Sequence, residues 1–202
     1  MSTRHIEAAD RLREQHDAAA ERIRARPELS DHGRAMLLAK SYLDAKAKMG
    51  DLQQAAAADD TDQHSRTERS VFGAGGLGGD PATAVVSFRD AQDRAAGLTT
   101  SDDAAALLAR AERSGDEPLA RAVAGHAFDM SCSNLGRLNQ GWDEVLDTYT
   151  ESRPAAARDV ETLRGLSRPM GASAFFVWSL PCPQELWDRH SGQLDALAAA
   201  TP

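Results

Sequence analysis

Ala35, Leu38, Tyr42, Ala45, Met49, Leu52 and Ala56 recur at alternating steps of three and four residues, a spacing that stacks all of them on one seam of an α-helix. A shorter stripe precedes it. Ala9, Leu12, His16, Ala19 and Ile23 keep the same step, and Glu7 stands one turn before Arg11 to support the helix from its wet side. Between the two stripes, Pro27 disfavours helix at Arg26 and Ser30 offers an N-cap. Amphipathic helices joined by a short connection favour antiparallel neighbours, so residues 1–58 are expected to form a helical hairpin arm. Its seams are rich in alanine and hold one aromatic, Tyr42. At about 25 cal/mol per Å², side chains this small leave little surplus over chain entropy. The arm is therefore expected to need a docking surface, supplied by the rest of the chain or by another subunit.

Residues 59–80 change character, with an acidic, polar run followed by Gly73, Gly75, Gly76, Gly78 and Gly79. That composition reads as a flexible linker. Helical punctuation then returns. Asp80 with Pro81 opens a stripe of Val85, Phe88, Ala91 and Ala95 that stops before Gly97. Thr100 with Asp103 resembles a capping box for a helix through Leu107, Leu108 and Ala111 to Gly115. Asp116 and Pro118 open the next, striped by Leu119, Ala122, Val123, His126 and Met130. Trp142, Val145, Leu146 and Tyr149 mark another, stopped before Pro154, and Val160, Leu163 and Leu166 one more. Phe175, Phe176, Val177 and Trp178 form a continuous apolar run between Gly171 and Pro181, which periodicity leaves open between strand and buried helix over 174–180. Pro183 can start a last helix bearing Leu186, Trp187, Leu194 and Leu197. The expected fold is mainly α: an N-terminal antiparallel hairpin over 1–58, a linker over 59–80, and a multi-helix core over 81–202 with at most one short strand-like segment. Seven of the ten aromatics lie between Phe128 and Trp187, which places the best-packed core there.

Charge and cysteine content narrow the partners. Residues 1–58 hold ten Lys or Arg against nine Asp or Glu, and residues 59–202 thirteen against twenty-two, so the acidic excess of the second part would repel a phosphate backbone. Nucleic acid is a poor partner. Cys132 and Cys182 are too few for a disulfide framework, which points to a reducing compartment. Charge at Arg4, Glu7, Asp10, Arg11 and Arg13 leaves no room for an apolar signal core, and no long apolar run follows. The expectation is a cytoplasmic chain with no membrane partner.

Candidate chemistry is thin. Gly73-Ala74-Gly75-Gly76-Leu77-Gly78 fits the G-x-G-x-x-G fingerprint, and resembles the glycine loop of ubiquitin-activating and thiamine-biosynthesis adenylating enzymes. Ser133-Asn134-Leu135 followed by Arg137 echoes a second motif of theirs. A nucleotide loop, however, needs a buried strand feeding it, and Gln63 to Arg69 is polar throughout. His126, Cys132, Cys182 and His190 carry zinc-ligating atoms without the close pairing of structural sites. Paired acids such as Asp102–Asp103, Asp116–Glu117 and Asp143–Glu144 stand near helix starts, where they complement the helix dipole. His16 is a candidate pH-sensitive contact on the first seam. The expectation is a non-enzymatic chain with no cofactor and no metal, acting through its amphipathic seams. Leu38, Tyr42, Met49 and Leu52 are the candidate protein-contact residues, for a homo-oligomer or for another protein.

Two stretches, Ile23 to Met49 (IRARPELSDHGRAMLLAKSYLDAKAKM) and Leu119–Asp129 with Gly141–Pro154 (LARAVAGHAFD and GWDEVLDTYTESRP), resemble helical virion-module proteins of unknown role from tailed phages and prophages of GC-rich bacteria. The resemblance covers about a quarter of the chain and carries no chemistry-bearing motif. It implies a capsid, neck or assembly component, partnered by itself or by other virion proteins and located in the virion. The alternative is a cytoplasmic regulatory or adaptor protein with a cellular partner. A nucleotide-binding enzyme built on Gly73–Gly79 stands behind both.

Overall fold

A computed structural model describes residues 3–75, 77–78, 80–133, 141–167 and 172–200. Gly76, Gly79, Asn134, Leu135, Arg137 and Gly171, named above, lie outside the described residues, as do the side chains of 172–174. The described residues form nine α-helices and no strand, so the fold is mainly α. The apolar run at 174–180 falls in helix, α8 (Ala172–Trp178), and the short extended stretch after it. Two compact units divide the chain: Met1–Thr61 with Pro169–Pro202, and Asp62–Arg168.

Unit 1 is built on the hairpin. Helix α1 (Thr3–Arg24) ends ahead of Pro27, and α2 (Asp31–Phe72) starts where the Ser30 hydroxyl accepts from the Gly33 N–H at 3.1 Å. The pair is antiparallel: His5 near the start of α1 lies 2.8 Å from Asp59, while Ala20 near its end packs with Ala35, Met36 and Leu38. The stripes read from sequence face inward, with Ala9 and His16 on α1 and Ala35, Leu38, Tyr42, Ala45, Met49 and Ala56 on α2 all buried. Over the seam lies the chain's own C-terminal segment, Leu186, Leu194 and Leu197 sealing against Leu38, Ala39 and Tyr42. Pro183 does not start one continuous helix. Gln184–Leu186 form a 3-10 turn, and α9 (Ser191–Ala199) begins afresh, with the Gln193 side chain accepting from the His190 N–H at 3.2 Å.

The linker expected at 59–80 is largely helix. Residues 59–72 contain neither Gly nor Pro, so polarity alone does not break α2 there. Lateral pairs carry it, Asp62 with Arg66 and His64 with Glu68. Its last residues, Val71 and Phe72, are buried in the core of unit 2. The helix stops at Gly73, where a Cβ would stand 2.4 Å from the Arg69 carbonyl oxygen. The multi-helix core expected over 81–202 is also redistributed: α3 (Pro81–Ala96), α4 (Ser101–Ser114), α5 (Glu117–Cys132), α6 (Trp142–Glu151) and α7 (Pro154–Ser167) belong to unit 2, and the rest to unit 1.

Within unit 2, α5 is the central element, packed by α3, α4 and α6, with α7 against α6. Its caps are those the sequence announces: Asp80, Thr100 and Asp116 each accept a main-chain N–H three residues on, and Gly115 closes α4 at φ +65°. Gly125 lets Phe72 approach α5, since a Cβ there would meet the Phe72 side chain at 3.3 Å. Arg153 ties the ends of three helices. It donates to Glu112 and Glu117 at 2.8 Å each and to the Tyr149 carbonyl at 3.1 Å, with its guanidinium 4.5 Å from the Tyr149 ring centroid. Burial alone would raise the Glu117 carboxyl, but hydrogen bonds from Arg153 and Arg121 hold it below the usual glutamate range.

Candidate functional site

Among its described residues, the glycine segment turns carbonyls rather than N–H groups toward its charged neighbour. A nucleotide loop aims backbone N–H groups at its ligand, whereas here the carbonyls of Gly73 and Gly75 accept from Arg121 at 3.1 and 2.7 Å. The Gly73 N–H is spent on the Arg69 carbonyl, and a helix rather than a strand precedes the loop. Arg121 is itself held by Glu117 at 3.0 Å. The arrangement is a helix terminus clamped by an arginine.

Beside it, the last turns of α2 with α3 and α5 enclose an open groove of about 890 Å³ within unit 2. Phe72, Phe88, Ala95 and Ala122 give it apolar walls, and Asp62, Glu68, Arg69, Arg121 and Asp129 a mixed-charge rim. The Asp129 carboxyl is pushed above its usual range, first by loss of surrounding water and then by the Glu68 charge, with His126 and His64 opposing. His126 is committed to structure, with Nε2 3.0 Å from the Leu98 carbonyl and its ring edge-on to Trp142 at 5.6 Å.

One constellation in unit 2 was missed by sequence reasoning because its members lie 103 residues apart: His64 Nε2 stands 3.1 Å from the Ser167 hydroxyl, and its Nδ1 3.5 Å from Glu68. The order resembles a nucleophile, base and orienting acid. Its setting opposes that chemistry. Ser167 is exposed and ends α7, at the negative end of the helix dipole, while an oxyanion needs N–H donors. Ser167 also borders a hollow of about 370 Å³ holding Arg164, already engaged by Asp143 at 2.9 Å and Asp147 at 3.6 Å.

The four residues expected to make protein contacts sit inside unit 1. Leu38, Tyr42 and Met49 are buried and Leu52 half-buried, and the C-terminal segment covers the Leu38–Tyr42 part of the seam. The zinc-ligating types are split, His126 and Cys132 in unit 2 and Cys182 and His190 in unit 1. Among the described residues no three His, Cys, Asp or Glu side chains gather around one point. Burial pushes the Cys182 thiol up, and Cys132 is exposed.

What unit 1 does leave uncovered is aromatic. Phe175 is 72% exposed, Phe176 69% and Trp187 66%, although the sequence pattern placed all three in the core. The Phe175 and Phe176 rings meet edge to face at 5.9 Å. Arg13 of α1 holds α8 by donating to the carbonyls of Val177 and Ser179, a cation at the helix C-terminus. No described helix is long and apolar enough to cross a membrane. The chain matches no protein family, no curated protein and no solved structure.

Proposed function

We propose that this chain is a non-enzymatic helical assembly protein that works by burying apolar surface against another protein, as a component of a phage-like particle. The observation that carries the reading is the exposure of Phe175 and Phe176 on a helix anchored by Arg13. Covering one such ring is worth about 1.5–3 kcal/mol, and clustered exposed aromatics mark protein-contact surfaces. This moves the contact surface from the Leu38–Leu52 seam to α8. The resemblance of Ile23–Met49 and of Leu119–Asp129 with Gly141–Pro154 to virion-module proteins supports the particle, and a cellular adaptor is the alternative reading.

Light scattering across a concentration series tests it. The native chain is expected to gain mass with concentration, and the double variant Phe175→Ser, Phe176→Ser to remain a monomer with unchanged helix content. A native chain that stays monomeric, encoded away from capsid and tail genes, would overturn the reading.

A further inference from the structure

His16 is the most closely sealed titratable group of unit 1 among the described residues, at 4% exposure. Its Nδ1 is buried with no hydrogen-bond partner in the protein. The neutral ring tolerates this, because an unpaired nitrogen lone pair costs less than an unpaired charged N–H. The charged ring would place at Nδ1 an N–H with no protein acceptor within reach.

The groups facing the ring come from three elements. Asp17 and Arg24 share α1 with it, Tyr42 of α2 lies 6.0 Å away between ring centroids with Lys46 beside it, and Pro181, Cys182 and Glu185 face it from the C-terminal segment. These C-terminal residues, with Arg24 and Trp187, line a hollow of about 440 Å³ around His16, so the segment is set against the hairpin across a gap. Two kinds of contact hold it. Leu186, Leu194 and Leu197 pack on Leu38 and Tyr42, and Glu185 accepts from Arg24 at 2.7 and 2.9 Å.

We propose that residues 180–199 are an acid-released cover over the Leu38–Tyr42 seam, with His16 as the latch whose protonation opens it. Burial lowers the His16 pKa from the ordinary 6.5, Asp17 and the Pro181 carbonyl oppose that shift, and Arg24 adds to it. An opened segment therefore takes up the proton near pH 6.5 and the closed one only at lower pH. The closed form is fully favoured above that value and loses favour as the pH falls through the interval. The Arg24 hydrogen bond holds Glu185 down to about 2, so that pair stays ionised throughout, and release follows the histidine. His5 differs in kind, because its Nε2 has the Asp59 carboxylate as a partner at 2.8 Å. The proposal concerns the cover alone and stands independently of what the uncovered seam would bind.

Hydrogen exchange by mass spectrometry on the full chain, corrected for intrinsic rates, tests it between about pH 7.5 and pH 5, an interval spanning histidine titration. Amides of 191–199 and of 35–43 are expected to exchange about fivefold faster or more at the acid end, as for a local opening, while those of 142–149 in unit 2 hold. The variant His16→Gln keeps an N–H donor near the Nε2 position and cannot charge; it is expected to remove the acid response. Protection of 191–199 that is unchanged by acid, or lost equally in His16→Gln, would overturn the proposal. Should that variant not fold, the native His16 ring, followed by NMR, decides. A titration midpoint that coincides with the exchange midpoint upholds the latch, and one that does not removes it.

Discussion

Unit 2 seals Trp142, Tyr149, Leu108, Leu119, Leu146 and Leu163 almost completely, whereas among the described residues of unit 1 only Leu38 and Leu186 reach that degree of burial with side chains of leucine size or larger. Unit 1 in turn holds the buried histidines, His5 and His16, and leaves Phe175, Phe176 and Trp187 exposed. One unit thus rests chiefly on dispersion and apolar burial, with its Arg153–Glu112–Glu117 cluster at the helix ends. The other combines a thin alanine-rich seam with titratable groups and the Arg24–Glu185 pair, so solution conditions act on it first.

The contrast breaks most directly by truncation. Leu146→Ala is expected to cost about 3–4 kcal/mol, because helices on both sides prevent collapse of the cavity, and Leu186→Ala about 2 kcal/mol, because a 3-10 turn can settle into the gap. Urea unfolding of each variant measures both, and equal losses would abolish the distinction. Arg153→Ala comes next, at about 1–2 kcal/mol for a partly exposed cluster in which Glu112 and Glu117 lose their shared donor. The Glu117 share has a sign. Its carboxyl is held below the usual range, so its contribution is complete above that range and fades as pH falls through it. Thermal melts of the native chain should therefore lose stability in that acid interval, and those of Arg153→Ala should lose less. The smallest effect sharpens the comparison from the other side. Thr100→Ala in unit 2 and Ser30→Ala in unit 1 each remove one N-cap and should each cost about 1 kcal/mol, since a cap does not sense which core its helix joins. Unequal losses on chemical denaturation would show that the units differ even in local helix stability.

Much of this architecture was legible residue by residue. The hairpin followed from the 3-4 stripes around Tyr42, and the helix starts at Asp80, Thr100 and Asp116 followed from capping chemistry, which acts within four residues. The continuation of α2 through 59–72 was not legible, because polarity and nearby glycines imitate a linker while the anchor, Val71 and Phe72 in the unit 2 core, depends on distant residues. The His64–Ser167 contact was hidden for the same reason. The candidate protein-contact residues lie on the most regular seam, and the chain's own C-terminal segment covers its Leu38–Tyr42 part.

The amino-acid sequence by itself determined where the helices of the hairpin and those capped by Asp80, Thr100 and Asp116 begin, which of their faces are apolar and that the fold is mainly α, since propensity, caps and periodicity are local properties. Tertiary structure alone decided that residues 186–197 cover Leu38 and Tyr42, that α8 turns its phenylalanines outward, and that His16 is buried with no protein partner at Nδ1. Periodicity marks a face as apolar; what that face meets depends on packing partners far along the chain.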